Sequence, residues 1–225
     1  MSYKKLRRIV GFLGIGLPIV VFIGALIFND GFIAGSISGY YYTKMGSVFV
    51  GVMFITGSFF FVYRAYDCII DDIAGYLACL FVVGTAIFPT AKEATICCEE
   101  QLELFPVPWY ETISISHVHF VFATLYFLTL IFFSMYLFTK SNKKKMSNCT
   151  PEKRIRNKIY IACGIVMAVC IILLAINFIF ISCEYSKEIE WIKPVLVLET
   201  VAVWFFAISW LTKGGLIFPD KAKES

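Results

Sequence analysis

Ser114-Ile-Ser-His-Val-His-Phe-Val-Phe-Ala123 sets both histidines of the chain at the head of an apolar run that continues to Phe138. As a helix, that run is long enough to cross a hydrocarbon layer about 30 Å thick. On it His119, Ala123, Tyr126, Leu130 and Phe133 recur at steps of three and four and form one stripe. His117, two residues before His119, falls about 200° away and so on the opposite face. One histidine therefore faces a bundle and the other faces lipid or headgroups, and the spacing does not say which. An ionisable side chain inside a membrane segment marks a functional site by default. The competing reading is a histidine that hydrogen-bonds a neighbouring helix and does nothing more.

Working outward, five more runs have the length of a crossing: Ile9 to Phe28, Gly46 to Tyr63, Ile73 to Phe88, Ile159 to Ile181 and Ile192 to Leu211. With Ser114 to Phe138 they make an all-α, polytopic bundle of six transmembrane helices. The third is the shortest, with Asp72 as its N-cap. At 59% hydrophobic and 16% charged residues, the chain is more apolar than a soluble domain, in which about a quarter of residues are charged. The gaps are too short for a separate soluble domain, so residues 1–225 read as one integral-membrane domain.

Sixteen of the 20 basic residues fall on one side of this layout: the amino-terminal Lys4 to Arg8, Arg64, the Lys140 to Lys158 loop and the carboxy-terminal lysines. The other side holds Lys44, Lys92, Lys187 and Lys193, together with most of the glutamates. Positive residues stay inside, so both termini are expected in the cytoplasm of a multi-pass cell-membrane protein, of the bacterial inner-membrane kind. The Lys143 to Lys158 loop then reads as attraction to anionic lipid headgroups, not as a nucleic-acid arm. Ile9 to Phe28 exceeds a signal-peptide core and has no small-x-small site after it, so it reads as an uncleaved first helix, kinked at Pro18.

Eight cysteines are present, of which Cys97, Cys98 and Cys183 face outward in this topology. A bridge from Cys97 or Cys98 to Cys183 and free thiols are both open readings. Cys-x-x-Cys is absent and the two histidines point apart, so neither a metal nor another cofactor is expected.

Polar residues inside the apolar runs gather toward the outer half. Gly31 to Thr43 carries Ser36, Ser38 and three tyrosines including Tyr42; Asn177 lies near the outer end of the fifth run; Glu199 lies deeper in the sixth. A carboxylate within the membrane costs about 2.5–3.5 kcal/mol on insertion scales, so Glu199 needs a partner. His119 is the first expectation, with a protonated Glu199 bonded to backbone or to Asn177 as the alternative. At the inner end, Trp210 and Lys213 read as an interface anchor and a flanking charge.

Gly84 with Phe88-Pro89 closing one helix, His119 opening the next with Ala123 four residues on, and Ser36-Ile-Ser38 before the second helix resemble the prokaryotic family called domain of unknown function 998. The chain is similar, more distantly, to the DRAM and Sfk membrane proteins. Thr90 stands where that pattern carries an acidic residue. The resemblance implies a six-helix membrane fold over nearly the whole chain and no particular reaction.

The expected function is non-enzymatic binding of membrane lipid or a small amphiphilic ligand in an outward-facing pocket of Ser36, Ser38, Tyr42, His119, Asn177 and Glu199. A proton-coupled transporter using Glu199 and His119 is the alternative. An intramembrane lipid hydrolase relaying through Ser38, His119 and Glu199 ranks below both, because no nucleophile elbow is present.

Overall fold

The computed structural model describes residues 3–63, 69–91, 115–140, 150–180 and 190–219. Among them every regular element is helical: α1 (Tyr3–Phe28), α2 (Gly46–Phe61), α3 (Ile69–Ile87), α4 (Ile115–Phe132, prolonged by a π turn, Phe133–Leu137), α5 (Pro151–Phe180) and α6 (Pro194–Lys213). All six expected helices are present, and all except α2 are long and apolar enough to span a membrane.

Three helices begin earlier than the apolar runs read from the sequence: α1 at Tyr3, α3 at Ile69 and α5 at Pro151. Helix α3 starts at Ile69, so Asp71 and Asp72 lie in its first turn, where acidic groups complement the positive end of the helix, and Asp72 is not the cap. The shortest helix is consequently α2, whose 16 residues rise about 24 Å. A 3-10 helix, Ser38–Tyr42, and a turn precede α2. At the other extreme, α5 extends to 30 residues by taking in the polar stretch from Pro151. Proline is pre-organised for a first helical position, and the Lys153 N–H approaches Thr150 Oγ1 at 3.4 Å. Helix α1 runs unbroken through Pro18.

Each helix packs on its neighbours in sequence, and α6 closes back on α1, so the six form a ring. Small residues set the closest contacts. A Cβ on Gly11 would stand 2.6 Å from Leu211 Cγ across the α1–α6 seam. One on Gly75 would stand 2.8 Å from the Phe60 carbonyl oxygen where α3 meets α2. The two chain ends share one face of the bundle: Arg8 donates from Nε to the Gly214 carbonyl at 2.9 Å and from Nη2 to that of Gly215 at 3.1 Å.

The half nearest the termini is filled by aromatic rings. Trp210 is 1% exposed and sits with its centroid 5.0 Å from Tyr63, 5.2 Å from Phe60 and 5.3 Å from Phe138. It is a core residue, which corrects the interface-anchor reading. Lys213 is likewise more than a flanking charge, since its ammonium donates to the Phe138 carbonyl at 2.9 Å and lies over the Tyr160 ring. Within the π turn, the Ser134 hydroxyl donates to the Tyr160 carbonyl at 2.8 Å. Having spent its one proton there, Ser134 accepts from Ser209 at 2.8 Å. Asp71, fully buried, lies 3.9 Å from the Lys140 ammonium.

Candidate functional site

The opposite half of the ring holds a cavity of about 70 Å³. Its wall takes Leu13, Gly14 and Leu17 from α1, and Phe49, Val52, Met53 and Thr56 from α2. Helix α4 supplies His119, Ala123, Tyr126, Phe127 and Leu130; α6 supplies Glu199, Val203 and Phe206; Ile37, Ser38 and Thr85 complete it. Four of the five stripe positions of α4 are therefore on this wall. Phe133, the fifth, is fully buried in the aromatic half. His117 is exposed, so His119 is the histidine that faces the bundle.

His119 is positioned by the end of α3. Its Nδ1 lies 2.7 Å from the Phe88 carbonyl oxygen and 3.1 Å from that of Thr85. Carbonyls only accept, so the ring proton belongs on Nδ1, and this helix end, which has run out of intrahelical donors, gains one. Nε2 then keeps a lone pair and has no hydrogen-bond partner among the described residues. The same bonds explain why Phe88-Pro89 precedes the histidine by so many residues yet acts with it: proline ends the helix and leaves the carbonyls open.

Glu199 is positioned by the chain between α1 and α2. Lys193 takes a left-handed backbone (φ 49°) and Pro194 starts α6, whose Leu196 N–H donates to the Gly35 carbonyl at 2.8 Å. One turn on, Glu199 Oε2 accepts the Ile37 N–H at 2.6 Å. Ser36 Oγ accepts the Gly39 N–H at 2.8 Å. Together the two side chains satisfy the Ile37 and Gly39 N–H groups at the start of the Ser38–Tyr42 helix, where a negative charge is favoured.

This arrangement corrects the expected Glu199–His119 pair. Both line one cavity, yet the acid is held by the backbone N–H of Ile37 and the imidazole by backbone carbonyls, and no hydrogen bond joins them. Ser38 Oγ lies 3.2 Å from Ser36 Oγ and is not bonded to His119, so the three residues of the conceivable hydrolytic relay are unconnected. Of the six residues expected to form the pocket, Ser38, His119 and Glu199 line it. Ser36 stands behind Ser38. Tyr42 donates its hydroxyl to the Thr90 carbonyl at 2.6 Å and ties the start of α2 to the end of α3, outside the cavity. Burial, with the neighbouring Tyr41, pushes the Tyr42 phenol above its ordinary range. Asn177, half-buried on α5, is not on the cavity wall.

Sequence reasoning missed Thr56 and Thr85, the two threonines on the wall. Each donates to a carbonyl one turn earlier, Val52 and Phe81, at 2.8 Å. Their isolation within apolar helices was the available signal. Among the described residues no three His, Cys, Asp or Glu side chains gather as metal ligands. Cys79, Cys163 and Cys170 are free thiols, and Cys97, Cys98 and Cys183 lie outside the described residues.

No known family model, curated protein or solved structure matches the chain. The helices are those of an integral membrane protein, and the cavity between them is the candidate site.

Proposed function

We propose that this protein binds the polar end of a small amphiphile in the cavity between α1, α2, α4 and α6, with both termini cytoplasmic and the cavity toward the outer leaflet. The observation that carries the reading is the division of the cavity wall. Ser38, Thr85, His119 and Glu199 supply polar atoms, while Leu13, Leu17, Phe49, Met53, Leu130 and Phe206 supply an apolar surface. Mostly apolar walls with a few placed polar groups are the general character of small-molecule sites.

Volume limits the ligand. About 70 Å³ is well below the roughly 300–1,000 Å³ of a drug-sized pocket, so the cavity takes a group of a few heavy atoms or a few waters, not a whole lipid. Binding is favoured over transport because the other half of the bundle is packed around Trp210, and its serines, Ser134 and Ser209, are bonded to each other. The likeness to the domain-998 family belongs to the same proposal. Its motif residues meet in space: the Phe88 carbonyl holds His119, Gly84 abuts the Phe122 ring, and Ala123 and Ser38 share the cavity with His119.

The test is to purify the protein in mild detergent and analyse bound small molecules by native mass spectrometry, beside Ala123→Leu, which fills the cavity. The reading expects a bound amphiphile on the wild type that the filled variant lacks. Equal occupancy in both, or none in either, overturns it.

A further inference from the structure

We infer, resting on the ligand-binding reading above, that the group entering the cavity is a small primary ammonium, carried by a free amine or by an amine-bearing lipid headgroup, and not an anion. The argument is an inventory of hydrogen-bonding capacity on the cavity wall. Thr56 and Thr85 have spent their protons on the carbonyls of Val52 and Phe81, which leaves each oxygen only its lone pairs. His119 has committed Nδ1–H to two carbonyls, which leaves Nε2 as an acceptor on a side chain that is 3% exposed. Glu199 adds a carboxyl group already engaged as an acceptor. The hydroxyls of Ser38 and Tyr126 can serve either way.

The cavity wall contains no Lys, Arg, Asn, Gln or Trp. Acceptors dominate, and nothing there is an obligate donor. A phosphate or carboxylate would bring lone pairs against lone pairs with no cation to offset them. A primary ammonium presents three donors, and its bond to a carboxylate is charge-assisted, roughly twice as strong as a neutral one. The rings of Phe49, Tyr126, Phe127 and Phe206 around the same space add surfaces that attract a cation. The volume suits an ammonium with two or three carbons attached.

The experiment uses the full chain in phosphatidylcholine nanodiscs, titrated with propylammonium, propanol and propionate at equal ionic strength, with binding read by ligand-observed NMR. Propylammonium is expected to bind about tenfold or more tighter than propanol, with propionate showing no saturable binding. Ala123→Leu, which keeps every polar group, is expected to remove the binding. Repeating the titration in phosphatidylethanolamine nanodiscs separates the sources: weaker apparent binding there identifies the headgroup as occupant, unchanged binding a free amine, and both support the ammonium assignment. Propionate binding best, or propanol binding as well as the amine, overturns this inference while the ligand-binding reading stands. Propylammonium binding that persists in Ala123→Leu overturns it too. If none of the three binds and native mass spectrometry also finds no difference between wild type and Ala123→Leu, both readings fall together.

Discussion

Ile37 donates its backbone N–H to Glu199 at 2.6 Å across 162 residues of chain, and this bond fixes the segment between α1 and α2 on the amino end of α6. The costliest side chain of the apolar segments therefore serves as an anchor as well as part of the cavity wall. Glu199→Ala leaves the Ile37 N–H without its acceptor, a loss of about 1–3 kcal/mol. Glu199→Gln keeps a carbonyl oxygen in place and is expected to lose less. Thermal melting of the two variants in the same detergent checks the order, and an alanine variant as stable as the glutamine one would refute it.

His119 should be held in a single tautomer. Nitrogen-15 spectra of selectively labelled protein are expected to show His119 as the Nδ1–H tautomer with a bare Nε2, fixed by the carbonyls of Thr85 and Phe88. Among the described residues no such pair of carbonyls meets the ring of His117, which is exposed. Replacing His117 with Leu should leave the melting temperature within a degree or two, because surface changes usually fall within about 0.5 kcal/mol.

Trp210 separates a core residue from an interface anchor. Trp210→Ala is expected to lose about 3–5 kcal/mol, as for other large aromatic deletions in packed interiors. Trp210→Phe should be much milder, since it keeps a ring among Phe60, Tyr63 and Phe138 and removes an indole N–H that has no hydrogen-bond partner among the described residues. Denaturation by a graded anionic detergent measures both.

Gly75 reports on the α2–α3 contact. An alanine there would put its Cβ 2.8 Å from the Phe60 oxygen and 3.3 Å from that of Tyr63, both backbone atoms that cannot swing aside. Gly75→Ala should therefore destabilise by about 1–3 kcal/mol. At Gly51, which has open space around its Cα, alanine should be neutral or slightly stabilising in the same melting assay.

The six helices were legible because an apolar run of membrane length admits few other structures. The stripe of α4 from His119 to Leu130 was legible as well, although spacing alone did not say whether it or the His117 face turns inward. What periodicity could not supply was the partner of each polar group. Glu199 and His119 are both satisfied by backbone atoms at the ends of other elements, and a main-chain N–H or carbonyl leaves no mark in the sequence. The same blindness explains Asp72, whose place inside the first turn of α3 depends on where the helix begins. Trp210 was misread because a tryptophan near the end of an apolar run looks alike whether it points out to headgroups or in to Phe60.

The seam between α1 and α6 sets an order on biosynthesis. Arg8 leaves the ribosome 206 residues ahead of the Gly214 carbonyl it finally binds, and Gly11 likewise waits for Leu211. The nascent chain thus makes its first helix long before that helix has its last neighbour, and the bundle stays an open arc until α6 has been made. A chain cut short before Leu211 would keep most of its apolar spans yet lack the residue that meets Gly11, so the end of α6 is the piece that closes the ring.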